Sequence, residues 1–181
     1  MPFFEPIPSP PEAPIELAPP SWVPASIDCQ QVIARSAEHA ITIEHVGATP
    51  DRLEFSIRAT SKHRASPSRS HRHEEEVRVG FALSDGRRAA AIGHGGTVLR
   101  LRAAATEDDA EEEPVGLWPL GGGGSGHERT MRFRTTELPP AGPVTIVVEW
   151  VAGNIPETAI ELDGTAIRSA GLAAEPIWPA S

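Results

Sequence analysis

From about residue 30 onward, the chain repeatedly alternates apolar and polar side chains in short runs. RLEFSIRAT puts Leu53, Phe55, Ile57 and Ala59 on one side and Arg52, Glu54, Ser56 and Arg58 on the other. Successive side chains of a strand point to opposite faces, so this period of two predicts a strand with one buried face. The β-branched runs QVIARSA and AITIEHVG precede it, and the break GATPD between the second run and RLEFSIRAT predicts a hairpin over residues 40–60. EVRVGFALS alternates through Val77, Val79, Phe81 and Leu83. Asp85-Gly86 then supplies a tight turn into a return strand, RRAAAIG. TVLRLRAAA predicts another strand, through Val98 and Leu101. ERTMRFRTTEL sets Met131, Phe133 and Thr135 opposite Arg132, Arg134 and Thr136. PPAGP turns the chain into VTIVVEW, a run dense enough in β-branched residues to sit centrally in a sheet, and TAIELDG reads as the last strand.

One stretch, GTAIRSAGLAA, reads as a helix, with Asp163 placed to cap it. Short strands separated by turns, with no alternation of strand and helix, predict a mainly β protein. The expected fold is an antiparallel β-sandwich, immunoglobulin-like or jelly-roll, with one short C-terminal helix. The pattern does not give the strand order.

Residues 1–25 differ in kind. They hold nine of the 19 prolines and no basic residue. Proline fixes φ and removes a backbone donor, so this segment is read as an extended N-terminal arm, with the sandwich domain spanning 26–181. The arm also carries Phe3, Phe4, Ile7, Ile15, Leu17 and Trp22, more apolar surface than a purely solvated linker holds. It is either a free tail or a segment that docks on its own domain or on a neighbour. Two polar insertions, 61–76 and 106–113, fall between strands and are expected at loop tips.

The run 121–126, GGGGSG, fits two phosphate-binding spacings on paper. Gly121, Gly123 and Gly126 match G-x-G-x-x-G, but that fingerprint needs a helix to follow, and HERTMRFRTT is an alternating strand. The phosphate-loop pattern needs Lys and then Ser or Thr after the last glycine, where this chain has His127 and Glu128. The run is therefore expected to be a flexible connector.

His71 and His73, spaced i and i+2, would point to one side of a strand, as paired metal ligands do. They raise the possibility of a metal-dependent, cupin-like enzyme with His63 or Glu74–76 as further ligands. The cupin signature, however, requires Gly at position 65, which is Ala, and Glu at 77 or 78, which are Val and Arg. Arg69 and Arg72 would also oppose a cation. No nucleophile elbow is present, and Cys29 sits beside Asp28, whose charge would raise its pKa. Trp22, Trp118 and Trp178 each lie within two residues of a proline. They are read as anchors at the ends of the sandwich or, with Phe3 and Phe4, as an aromatic contact surface.

Composition narrows the partners. The 181 residues carry a net charge of −9, which argues against a polyanion partner, and no Tyr is present to stack on bases. The basic stretch at Lys62, Arg64, Arg69 and Arg72 contains no aromatic residue. Cys29 is the only cysteine, so no intrachain disulfide can form. No run approaches the roughly 18 apolar residues of a membrane helix, and MPFFEPIPSPPEAP has neither a basic nor an apolar leader region, so a cytoplasmic location is expected.

The C-terminal half carries a recognisable series: a glycine-rich run, an alternating strand, Pro-Pro-x-Gly-Pro at 139–143, Glu149-Trp150, Ile-Pro-Glu-Thr at 155–158 and Leu-Asp-Gly at 162–164. It resembles a group of small actinobacterial proteins. In that group Trp-Pro-Leu stands just before the proline turn, whereas here it is Trp118-Pro119-Leu120, ahead of the glycines. The resemblance implies an actinobacterial protein compatible with a β-sandwich and brings neither an activity nor catalytic residues. The expected function is a non-catalytic binding or interaction module, without a cofactor, that contacts a protein partner or a second copy of itself. The alternatives are the cupin-like enzyme and a self-assembling protein joined through its arm.

Overall fold

The computed structural model describes residues 3–4, 21–63, 77–92, 97–99 and 115–179. Among them the chain runs through β1 (Trp22–Val23), β2 (Ala25–Ile27), β3 (Gln31–Arg35), β4 (His39–Thr49), β5 (Arg52–Ser61), β6 (Arg78–Ala82), β7 (Arg88–Ile92), β8 (Thr97–Leu99), β9 (Leu117–Gly124), β10 (Glu128–Thr135), β11 (Pro143–Trp150), β12 (Ile155–Asp163), helix α1 (Gly164–Leu172) and β13 (Glu175–Pro176). The protein is mainly β and antiparallel, a sandwich with one short C-terminal helix, as the alternation predicts.

One sheet has six strands, in the order β2-β4-β5-β10-β9, with β3 also pairing β4. The other has five, in the order β12-β11-β6-β7-β8. The hairpin expected over 40–60 is β4–β5, closed between Thr49 and Arg52. The turn at Asp85-Gly86 joins β6 to β7, with Gly86 at φ 88°. β11 is flanked on both sides, by β12 and β6.

The core lies between the sheets. Ile41, Ile43, Leu53, Phe55, Ile57 and Phe133 of the first sheet meet Val79, Phe81, Val144, Ile146 and Val148 of the second. A bulge between Ile43 and His45 shifts the phase of β4, so that Ile41 and Ile43 face the core before it and Val46 and Ala48 after it. Arg87 ties the β6–β7 turn to the end of β10. It donates to Asp85 at 2.7 and 2.9 Å and to Glu137 at 3.0 Å. Although burial works against ionisation, the hydrogen bonds and charge of Arg87 hold the Asp85 carboxyl below its usual value.

Helix α1 begins where the sequence places it. The Asp163 carboxylate accepts from the backbone N–H of Thr165 at 2.9 Å and of Ala166 at 3.1 Å, satisfying two of the donors a helix start leaves open. Ile167, fully buried, anchors the helix to the core. Replacing Asp163 with Ala is expected to cost about 1 kcal/mol. A urea melt read by circular dichroism would show it as a lower midpoint at unchanged slope.

The glycine run corrects its own expectation. Residues 121–124 are not a connector but the second half of β9, paired with β10 from Gly124↔Arg129 to Gly121↔Arg132. A Cβ on Gly122 or Gly124 would lie 2.2 Å from the backbone oxygen of Thr130 or Glu128. Glycine is there because the two strands approach closely, not to leave the chain slack. Pro119 in the same strand has no N–H to give, which suits the sheet edge that β9 occupies. TAIELDG is also not the last strand. β13 follows the helix and pairs with β1, Trp22 opposite Pro176 and Val23 opposite Glu175. Neither of these two-residue strands is long enough to show a period. Of TVLRLRAAA only residues 97–99 are described, and they are strand.

Candidate functional site

Each sheet turns one face to the core and one outward, and the two outward faces differ sharply in chemistry. On the six-stranded sheet the outward face is polar and half-buried. Arg134 on β10 pairs in register with Glu54 on β5, and Arg132 with Ser56. Beyond Ser56, β4 presents His45. A bulge in the β9–β10 pairing, between Arg132 and Phe133, leaves Leu120 unpaired at the edge, with Gly121 at φ 111°. On the opposite side Pro24 and Trp22 rise over the sheet, and Ile177 comes in beside them because its N–H donates to the Ser21 carbonyl.

Between these walls lie two adjoining depressions, of about 380 and 480 Å³, with Pro24, Glu54, Leu120 and Arg132 lining both. The charges in and around this groove are not evenly matched. Arg58 is held by Glu44 at 2.8 Å and Glu128 at 3.2 Å, and Arg52 by Asp51 at 3.2 Å and Glu54 at 3.8 Å. Among the described residues, the side chains of Arg132 and Arg134 have neither an ion pair nor a hydrogen bond. Burial, and then the charge of Arg52, push the Arg134 guanidinium below its usual pKa, against the pull of Glu54 and Asp51. Two guanidinium groups, one half-buried, thus stand two residues apart on one strand with their donors open.

The five-stranded sheet has an apolar strip on its outward face. Val147, Gly80 and Ala90 align across β11, β6 and β7. Phe3 and Phe4 cover that strip, their rings edge to face with centroids 5.2 Å apart.

The aromatic residues singled out from the sequence therefore divide between the two faces. Phe3 and Phe4 lie on the five-stranded sheet, with Phe4 buried. Trp22 is half-buried at the groove wall, and Trp118 sits opposite Arg134 on β9. Trp178 follows Ile177 and is 66% exposed. His71 and His73 lie outside the described residues, as do Glu74–76. His63 is described, and its Nε2 sits 2.7 Å from the Glu38 carboxylate. Among the described residues no group of three or more His, Cys, Asp or Glu is placed to hold a metal. Cys29 is half-buried, and burial, then Asp28, raise its thiol pKa above the usual value. That environment gives no activated nucleophile.

The open guanidinium pair was not singled out from the sequence. Its signal was present in MRFRT, where two arginines share the polar phase of a strand. What the pattern could not give is which carboxylates the neighbouring strand would bring. Fold and surface together define an antiparallel β-sandwich, one sheet with a charged outer face and the other with an apolar strip covered by Phe3 and Phe4. No family model matches this chain, and no curated protein or solved structure matches it either. Among the described residues no helix is long and apolar enough to cross a membrane.

Proposed function

We propose that this protein is a non-catalytic binding module whose contact surface is the arginine groove of the six-stranded sheet, and that the groove takes an extended, acidic protein segment. The carrying observation is the pair Arg132 and Arg134, unpaired among the described residues and on one face of β10. Side chains two apart on a strand are spaced by about 7 Å, the repeat at which an extended peptide presents alternate side chains. Carboxylates at alternate positions of such a peptide meet the two guanidinium groups in turn, each pair a charge-assisted contact. The wall of Trp22, Pro24, Leu120 and Ile177 takes the apolar stems. The immunoglobulin-like or jelly-roll assignment, the kinship with the actinobacterial group and the cytoplasmic location belong to the same proposal.

A peptide of alternating Glu and Val, titrated by calorimetry, tests it. Saturable binding to the wild-type protein is expected to weaken as salt rises. Arg132→Glu/Arg134→Glu is expected to lower affinity at least about tenfold, since a hydrogen bond to a charged group contributes roughly 1.5–3 kcal/mol. Equal binding by the wild-type and doubly substituted proteins would remove the groove as the contact surface.

A further inference from the structure

The apolar strip on the five-stranded sheet has the shape of a receptor. Gly80 lies at its centre, between Val147 and Ala90 in one cross-strand row. A Cβ at Gly80 would stand 2.2 Å from Cε1 of Phe3, so the ring occupies the space that any side chain there would fill. Glycine inside a strand marks a close approach, and here the approaching group is an aromatic ring. Ala90 and Val147 point outward yet are 0% and 4% exposed, because the two phenylalanines cover them.

Polar contacts fix how the segment lies. The Phe3 backbone N–H donates to a Glu157 carboxylate oxygen at 2.8 Å, and the Arg88 guanidinium sits 5.7 Å from the centre of the Phe3 ring. The contact thus combines a cut-out for one ring, a seat for a second, an acceptor for a backbone N–H and a cation over the ring. None of these depends on the covalent link between Phe4 and the rest of the chain. Residues 5–20 supply that link, and 16 residues can span up to about 55 Å, several times the roughly 10 Å between packed sheets. A tether of that length does not by itself confine the segment to its own sheet.

We propose that the outer face of the five-stranded sheet is a recognition site for the N-terminal Phe-Phe segment and that it accepts this segment from a second copy of the chain, so that two molecules associate by exchanging arms. The contacts are the same in either arrangement. A tethered segment has an effective concentration of the order of millimolar, so exchange grows as the protein approaches that concentration. The exchange is reciprocal, since each copy carries both the segment and the site.

The test uses the full chain with its own site emptied. Phe3→Ala/Phe4→Ala keeps the principal core intact, because neither phenylalanine belongs to it. A fluorescent peptide of residues 1–9 is expected to bind this variant at least tenfold more tightly than it binds the wild-type protein, whose own segment competes. Adding Gly80→Val is expected to abolish that binding, and Glu157→Gln to weaken it severalfold. In an otherwise wild-type protein carrying 4-fluorophenylalanine at position 3, excess unlabelled peptide is expected to move the fluorine signal from its docked to its free position. Absence of saturable peptide binding, equal binding after Gly80→Val, or a fluorine signal unmoved by peptide would each overturn the proposal.

Discussion

Phe55→Ala is expected to cost about 3–5 kcal/mol, the range for removing a buried phenylalanine from a packed core. Phe55 is 2% exposed and sits directly opposite Phe133 across β5 and β10, the two rings stacked with centroids 5.4 Å apart. The loss has two parts. The missing ring forfeits its transfer free energy, and the space it leaves cannot be closed, because Phe133 is fixed on the neighbouring strand by the ladder. A domain of this size is stable by roughly 5–15 kcal/mol, so this single change removes about a fifth of the margin or more. Urea unfolding followed by tryptophan fluorescence measures it. The midpoint should fall steeply while the slope stays the same, and a loss under about 1 kcal/mol would mean that the two sheets do not pack through this pair.

Thr135→Val is expected to cost about 1–3 kcal/mol although it barely alters side-chain volume. The β5–β10 ladder runs out at Glu54↔Arg134, and the next donor, the N–H of Leu53, is met by the Thr135 hydroxyl oxygen at 2.9 Å. The same hydroxyl donates to the Glu137 carbonyl. Leu53 is fully buried and Thr135 only 2% exposed, so water cannot replace the missing partner. Valine fills the space and leaves both groups unmet. Thr135→Ser, which keeps the hydroxyl, is the control and should retain most of the stability. Thermal melts of the three proteins separate the hydrogen bond from the packing.

Much of this fold can be read from the chain, because its strands keep one phase between fixed turns. Leu53, Phe55, Ile57 and Ala59 on β5 and Met131 and Phe133 on β10 are all buried where the alternation puts them. Asp163 caps α1 through contacts entirely local to its own turn, which is why the helix start could be read. The β4 bulge was not legible, since one extra residue reverses the phase and nothing in AITIEHVG marks where it falls. The glycine run misled for a related reason. Its need for glycine comes from the backbone of β10, a contact that composition does not display.

The two outer faces show the same division. Val147 gives VTIVVEW an apolar residue on its outward phase, and Gly80 interrupts VRVGFA on the same phase. Together they are the sequence trace of a covered face. What covers it is Phe3-Phe4, from the far end of the chain, and only the fold brings those residues together. The arginine pair of β10 could be read as a polar stripe. That Arg58 and Arg52 take the available carboxylates while Arg132 and Arg134 do not depends on strand register.

The pairing of β5 with β10 also sets a timetable for the growing chain. Leu53 and Thr135, which meet at the end of that ladder, are 82 residues apart in sequence. At the usual pace of translation, about 5–20 residues per second, β10 emerges roughly 4–16 s after β5. The β4–β5 hairpin can close at once, within about 1–10 μs. For the seconds that follow, its apolar side has neither its neighbour in the sheet nor the full opposite sheet to pack against. During that interval the open apolar side of the hairpin is exposed to aggregation.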